Sequence, residues 1–309
     1  MKIVVAGASG LIGRRLTSAL LQKGHTVTGL TTGRVAPNGE REPSFKRVHW
    51  DGRTVADWMS HVENADAVIN LSGQSLASGR WTEARKKDLI ASRLASTEAI
   101  VEAIRLTARR PAVFLNASAV GYYGPVATGE VGEEYPPGTD FLASLCSEWE
   151  KEAAAAAASG VRIVTLRSGV VLDPEGGALR RLVLPFKLFI GGPLGNGAQW
   201  LPWIHREDQV SAIMYAIEKP EISGPINLVA PDLVTMAKFS RTLGRVLHRP
   251  SFVTVPAFVL RALLGEMSMV VLTGQPAVPR KLLQAGFRFS HPTLPEALSN
   301  LLHPPSSAR

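Results

Sequence analysis

The sequence predicts an α/β protein: a doubly wound parallel sheet followed by a smaller mixed α/β C-terminal region. Three observations carry this. Short apolar, β-branched runs alternate at least five times with stretches of helical spacing. The runs stay apolar on consecutive residues, as strands covered on both faces do. The first run turns into a helix through three glycines at the very start of the chain.

Ile3 to Ala6 is that first strand, and it stops abruptly at Gly7. From Leu11 the apolar residues take helical spacing (Leu11, Ile12, Leu16, Ala19, Leu20) until Gly24 closes the helix. Gly7, Gly10 and Gly13 thus sit at a strand-to-helix corner in the order G-x-x-G-x-x-G. Gly7 permits the tight turn, Gly10 lets the backbone approach a diphosphate, and Gly13 lets helix pack on strand. Free N–H groups at the helix start then face the phosphate charge. Gly7, Ser9, Gly10, Leu11, Ile12 and Gly13 are the first candidate cofactor contacts.

His25 to Leu30 is the second strand. An NAD-preferring site usually has Asp or Glu at its end to hold the ribose 2′-hydroxyl; this chain has Thr31, Thr32, Gly33 and Arg34. No carboxylate there repels a 2′-phosphate, so NADP is favoured over NAD. Arg34 either pairs with that phosphate or points into solvent. A loop over Val35–Pro43, a strand over Arg47–Trp50 and a helix over Val55–Val62 follow. Ala65 to Gly73 reads as a buried strand ending in a glycine turn, which places Leu71, Ser72 and Gly73 against the nucleotide. A polar loop leads to a long helix, about Trp81 to Leu106, with Leu89, Ile90, Leu94, Ile100, Val101 and Ile104 as its buried stripe. Then come a strand over Ala112–Ser118, a turn-rich loop at Gly121–Pro125, a helix from about Asp140 to Ala158 and a strand over Val161–Leu166. Beyond these, Trp203 to Asp208 leads into a helix, Ile226–Val229 is a short strand and Met236–Leu247 is helical. Prolines then divide the chain into short pieces, and Pro304–Arg309 reads as a disordered tail. The division expected is a dinucleotide-binding domain over 1–231, with an excursion at about 173–203 for the substrate, and a small domain over 232–303.

At 309 residues and 45% hydrophobic the chain has enough apolar mass for a large core, so disorder is not the default. The charge of +8 and pI near 9.9 suggest polyanion binding, but the cations are spread along the chain, and no specific nucleic-acid partner is expected. No apolar run is long enough to span a bilayer, so no membrane partner is expected. The opening residues read as a strand rather than a signal peptide. The single cysteine, Cys146, excludes an internal disulfide and suits a reducing cytoplasm. No metal site is indicated.

These residues resemble the extended branch of the short-chain dehydrogenase/reductase superfamily, and within it an atypical subgroup, the YfcH-like epimerase-family proteins. The segments that match are the glycine corner, Val68–Gly73, Arg80-Trp81, Ser92-Arg93, Gly121–Gly124, Arg167–Val171, Gly191–Pro193, Trp203–His205 and Gly274-Gln275. The part from about Met236 to Leu298 resembles that subgroup's small C-terminal domain. The resemblance implies an NADP(H)-binding Rossmann fold with Leu71, Ser72, Arg93 and Val170 at cofactor-contacting positions. Relatives usually carry arginine at the position of Thr32; its absence here counts against NADP unless Arg34 substitutes for it.

The resemblance also exposes a gap. Ordinary members use a Ser or Thr with Tyr-x-x-x-Lys: lysine lowers the tyrosine pKa and tyrosine moves the proton as hydride transfers. Ser118 stands at the hydroxyl position, but Phe141 and Leu145 stand where the tyrosine and lysine belong, and neither carries a proton. Tyr122, Tyr123 and His205 are the candidate substitutes; each also has a purely structural reading, Tyr123 in a turn and His205 at a helix start. Arg80-Trp81, Gly191–Gly197 and Trp200–Trp203 are expected to form an aromatic-lined pocket for a small substrate. Two functions follow: an NADP(H)-dependent oxidoreductase or epimerase with altered acid–base groups, or a non-catalytic NADP(H)-binding regulatory protein. A homodimer through the two long helices is expected from the fold.

Overall fold

Backbone polarity and side-chain alternation together explain the architecture of the computed structural model, which describes residues 1–33 and 43–303. Arg34, nearly all of the expected 35–43 loop, and the tail from 304 lie outside the described residues. In chain order the elements are β1 (Lys2–Ala6), α1 (Leu11–Gln22), β2 (Thr26–Thr31), β3 (Phe45–His49), β4 (Ala67–Asn70) and α2 (Glu83–Leu106). They continue with β5 (Val113–Ala119), α3 (Phe141–Ala154), β6 (Arg162–Ser168), β7 (Val170–Leu172), α4 (Gly177–Lys187), β8 (Trp203–His205) and α5 (Arg206–Glu218). The chain ends through β9 (Gly224–Leu228), α6 (Met236–Leu247), α7 (Ala257–Leu264), α8 (Met269–Leu272), α9 (Arg280–Gln284) and α10 (Leu294–Leu302). The expected Val55–Val62 helix is a 3₁₀ turn over Asp57–His61, and the Asp140–Ala158 helix also finishes as 3₁₀, over Ala155–Ser159.

Seven strands form one parallel sheet in the order β3-β2-β1-β4-β5-β6-β9. Successive strand residues serve opposite layers. Ile3, Val5, Ala67, Ile69, Val113, Leu115, Val164 and Leu166 pack with Leu16 and Leu20 of α1 and Ile213 of α5. Val4, Ala6, Val68 and Phe114 pack on the other face with Ile100 and Ile104 of α2 and Ala153 of α3. Each buried Val, Leu, Ile or Phe here contributes roughly 1.5–3 kcal/mol by burial, which makes apolar packing the main hold on both helix layers.

Helix starts are set by local chemistry. Thr82 accepts the Arg85 N–H and opens α2; Asp140 accepts the Ala143 N–H at 2.9 Å and opens α3; Thr235 does the same for α6 through Lys238. A third core is shared across the chain. Leu172, Leu179, Val183, Phe186 and Trp203 pack with Met236, Phe239, Leu243, Leu294, Leu298 and Leu301. Residues 232–303 therefore complete a core begun in the 173–203 excursion, where α4 lies. Leu282 and Phe287 go further and join the main sheet's core. Among the described residues no helix is long and apolar enough to cross a membrane.

Candidate functional site

All seven strands end at one edge, and the chain leaves β1 and β4 toward opposite sides, so a crevice opens between their carboxyl ends. The β1–α1 corner forms one wall. Gly7 has φ +80°, and a Cβ there would lie 2.8 Å from the Leu71 carbonyl oxygen. A Cβ on Gly13 would lie 2.1 Å from the Gly7 carbonyl oxygen. Only glycine fits at either place. Gly10 is the N-cap of α1 and donates its N–H to the Gly7 carbonyl at 2.9 Å. No side chain caps α1 and no acid stands in its first turn, so the N–H groups of Leu11, Ile12 and Gly13 keep the positive end of the helix open. Ser9 lies exposed at the same corner, its carbonyl accepting from Arg14.

Leu71, Ser72 and Gly73 form the facing wall. The Ser72 N–H donates to Asn70 Oδ1, whereas the Ser72 hydroxyl is buried without a protein partner. Arg93 of α2, 8% exposed, reaches back to this wall. Its Nη1 donates to the Leu89 carbonyl, its Nη2 to the Gln74 carbonyl, and its guanidinium stacks on Trp149 with 5.2 Å to the ring centroid. Burial lowers its pKa, and no carboxylate among the described residues pairs with it. A buried cation met only by carbonyl dipoles and an aromatic face is poised for an anion. Thr97 fixes α2 here by accepting from Asn70 and from the Trp149 indole.

At the end of β2, Thr31 Oγ1 accepts the Gly33 N–H, and Thr32 and Gly33 are exposed. Val170 opens β7, donating its N–H to the Pro202 carbonyl at 2.7 Å.

The candidate catalytic serine lies one strand further along. Ser118 and Arg167 are register partners on β5 and β6, which puts both at the same edge. Ser118 Oγ donates to Glu150 Oε1 at 2.6 Å, and Arg167 grips the same carboxylate through Nε (2.8 Å) and Nη2 (2.7 Å). Burial opposes the charge on Arg167, but Glu150 and Tyr123 outweigh it and raise its pKa. Arg167 Nη1 donates to the Tyr123 hydroxyl, which donates to Asn227 Oδ1 at 2.7 Å. Glu133, buried, receives the N–H groups of Asn227 and Lys281. Glu150 and Arg167 were not among the sequence candidates. The available signal was an arginine directly after the apolar centre of β6, near the strand's carboxyl end.

The three proton-transfer candidates part company. Tyr123 is 2% exposed, and burial pushes its phenol up to about 12 despite Arg167. Tyr122 is half-buried with its ring 3.5 Å beneath the Arg167 guanidinium, and no partner among the described residues takes its hydroxyl. His205 belongs to another cluster. Its Nδ1 accepts the Glu207 N–H and so caps α5, its Nε2 faces Asn300 Oδ1, and its ring lies 3.8 Å from His291. Burial, then His291, lowers its pKa to about 4. His205, Glu207 and His291 converge, but both His205 nitrogens are already engaged, one at the α5 cap and one at Asn300.

The expected aromatic pocket is corrected. Trp203 is sealed in the third core with its indole on the Asp232 carbonyl, and Trp81 packs edge-on against Phe141. Trp200 bonds the Ala127 carbonyl. Arg80 donates to the Leu263 and Ala262 carbonyls. Arg80 and Trp203 thereby tie the C-terminal region to the sheet domain.

Known proteins resemble this chain along nearly its whole length. Residues 3–228 match the NAD dependent epimerase/dehydratase family, and residues 255–301 match a domain of unknown function, DUF1731. An epimerase family protein of Mycobacterium bovis, Mb2239, is 41% identical over 297 residues, 96% of each chain. The epimerase family protein YfhF of Bacillus subtilis is 40% identical over 305 residues, 98% of each. The crystal structure of human epimerase family protein SDR39U1 with NADPH superposes with a TM-score of 0.89 at 34% identity, over 99% of this chain and all of that one.

Proposed function

The chain belongs to the NAD dependent epimerase/dehydratase family, and from that premise we propose that it binds NADP(H) and acts as an oxidoreductase or epimerase on a small hydroxyl or carbonyl compound. The β1–α1 corner carries this reading, since two glycines there are irreplaceable and the helix start they expose has neither cap nor acid. Gly7, Ser9, Gly10, Leu11, Ile12 and Gly13 would hold the diphosphate. The unpartnered Ser72 hydroxyl and the carboxylate-free Arg93 fit a phosphorylated ligand on the opposite wall, with Leu71, Gly73 and Val170 beside them. Thr31, Thr32 and Arg34 remain the proposed contacts for the adenosine end. The relative crystallised with NADPH supports NADP over NAD.

When bound, a nicotinamide coenzyme supplies a hydride donor or acceptor; the protein's own groups orient the substrate and handle its proton. The Ser118 proton is committed to Glu150, so toward a substrate Ser118 presents an acceptor. That suits a hydroxyl group. Arg167 holds Glu150 in place through two parallel hydrogen bonds. Tyr122, with its hydroxyl unengaged, is the proposed proton-transfer group; Tyr123 and His205 are proposed as structural, because their polar atoms are already paired. Phe141 and Leu145, both apolar, favour the second reading, a regulatory protein that binds coenzyme without turnover. The buried, free Cys146 is consistent with a reducing cytoplasm.

Fluorescence titration with NADPH and a carbonyl panel separate the readings. Tight binding with NADPH oxidation that falls about 10²–10⁴-fold in Tyr122→Phe, and measurably in Ser118→Ala, is expected. Binding without turnover leaves the regulatory reading; no affinity for NADPH removes both.

A further inference from the structure

Two stretches of this basic chain, residues 176–206 and 233–265, contain no Asp or Glu at all. They fold against each other. Val253 donates its N–H to the Gly191 carbonyl, Val255 donates to Pro193, and Phe186 of α4 lies against Gly244 of α6. Arg180, Arg181, Lys187, Arg241, Arg245, Arg249 and Arg261 are exposed on this lobe, and none of them forms an ion pair among the described residues.

Between these cations stands apolar surface that ought to be inside. Phe252 is 74% exposed, Phe258 72%, Leu188 60% and Phe189 57%, with Leu184 and Ile190 beside them. On α4 the outward face alternates Arg180, Leu184, Lys187 and Leu188 at helical spacing, opposite the buried Leu179, Val183 and Phe186. Ile190 and Phe252 flank the Gly191–Val253 hydrogen bond, and Arg249 lies 4.4 Å over the Phe189 ring. Phe189 holds φ +62°, a conformation bulky residues avoid, in a loop tied by Phe189 N–H to Phe186 and Ile190 N–H to Pro185. The backbone is strained to point an aromatic ring at solvent.

We propose that this lobe is a peripheral docking surface for an anionic lipid bilayer. The phenylalanines and leucines enter the headgroup boundary, and the surrounding arginines and lysine meet the lipid phosphates. The charge selects this occupant. A second copy would set like-charged surfaces face to face, and a nucleic acid would leave the exposed phenyl rings without a role. The absence of a spanning helix is no obstacle, since the attachment is to the surface. The proposal does not depend on coenzyme binding.

The test is co-sedimentation of the purified protein with phosphatidylcholine vesicles, alone and mixed with phosphatidylglycerol. Binding is expected only to the anionic vesicles, weakening as salt rises. Reversing Arg180, Arg181 and Lys187 to Glu lowers the partition by at least about a hundredfold, and Phe252→Ser with Phe258→Ser lowers it on the order of tenfold or more, with circular dichroism unchanged. Equal binding to both vesicle types, or to neither, overturns the proposal. So does a loss on charge reversal with none on phenylalanine replacement, which marks simple polyanion adhesion. A dimer seen by light scattering and dissolved by Phe252→Ser overturns it in favour of a second copy.

Discussion

Single atoms decide much at the residue scale. A methyl group on Gly13 must displace the Gly7 carbonyl, and nothing flexible is there to yield. Gly13→Ala is therefore expected to weaken NADPH binding at least about tenfold and to cost roughly 1–3 kcal/mol of stability, measured by titration and chemical denaturation. His205 makes the opposite kind of statement. Its imidazole is neutral in the fold, with a pKa near 4 against 6.5 when unfolded. The stability this supplies is complete above pH 6.5 and is lost as pH falls from there to about 4, where the unfolded chain takes up a proton and the folded one does not. The loss reaches about 3 kcal/mol. His205→Asn, which retains a capping acceptor, is expected to flatten the urea midpoint across that window. An unchanged profile would show that folding does not lower the affinity of the ring for a proton.

Elements are placed by caps and by buried polar ties more than by intrinsic preference. α2 carries Arg93, Ser96 and Thr97 on its buried side as well as Leu89, Ile100 and Ile104, so its inner face is part apolar and part hydrogen-bonding. Its start rests on Thr82. Thr82→Ala is expected to cost about 1 kcal/mol and, by loosening the first turns, to raise hydrogen exchange at Arg85 and Lys86 while leaving the α3 amides unchanged. Uniform exchange across both helices would mean the cap does not hold α2 separately. Asp173 ties α1 to α5: although burial works against its charge, the Glu175 N–H and Arg15 hold its carboxyl below the usual carboxylate range. No sequence pattern announces that three-way link, because its members are 158 and 33 residues apart.

At the scale of the molecule the sheet domain and C-terminal region are joined by more than a linker. The third core needs Leu179, Phe186 and Trp203 from one side and Phe239, Leu298 and Leu301 from the other. A chain ending after Pro231 is expected to bind the dye ANS, lose its near-ultraviolet circular dichroism and unfold without cooperativity, whereas the full chain melts in one transition. A sharp melt in the truncated chain would show that residues 1–231 fold alone. α2 and α3 expose a single large apolar side chain, Leu106, among the described residues. The larger exposed apolar surface lies on the α4–α6 lobe.

The strand runs, the glycine corner and the helix starts were legible because they depend on residues within a few positions of one another: β-branched runs, a turn only glycine adopts, a hydroxyl before an apolar stripe. Ser118 could be singled out by family resemblance, and so could the gap at Phe141 and Leu145. The partners of Ser118 could not, since Glu150 and Arg167 meet it only once β5, β6 and α3 are in register. The same holds for Trp203, which reads as a pocket residue in sequence and is sealed in a core assembled from segments about a hundred residues apart. Local backbone chemistry is written in the sequence; which charges and rings share a volume is settled by long-range packing, where burial sets the pairing of groups that sequence separation conceals.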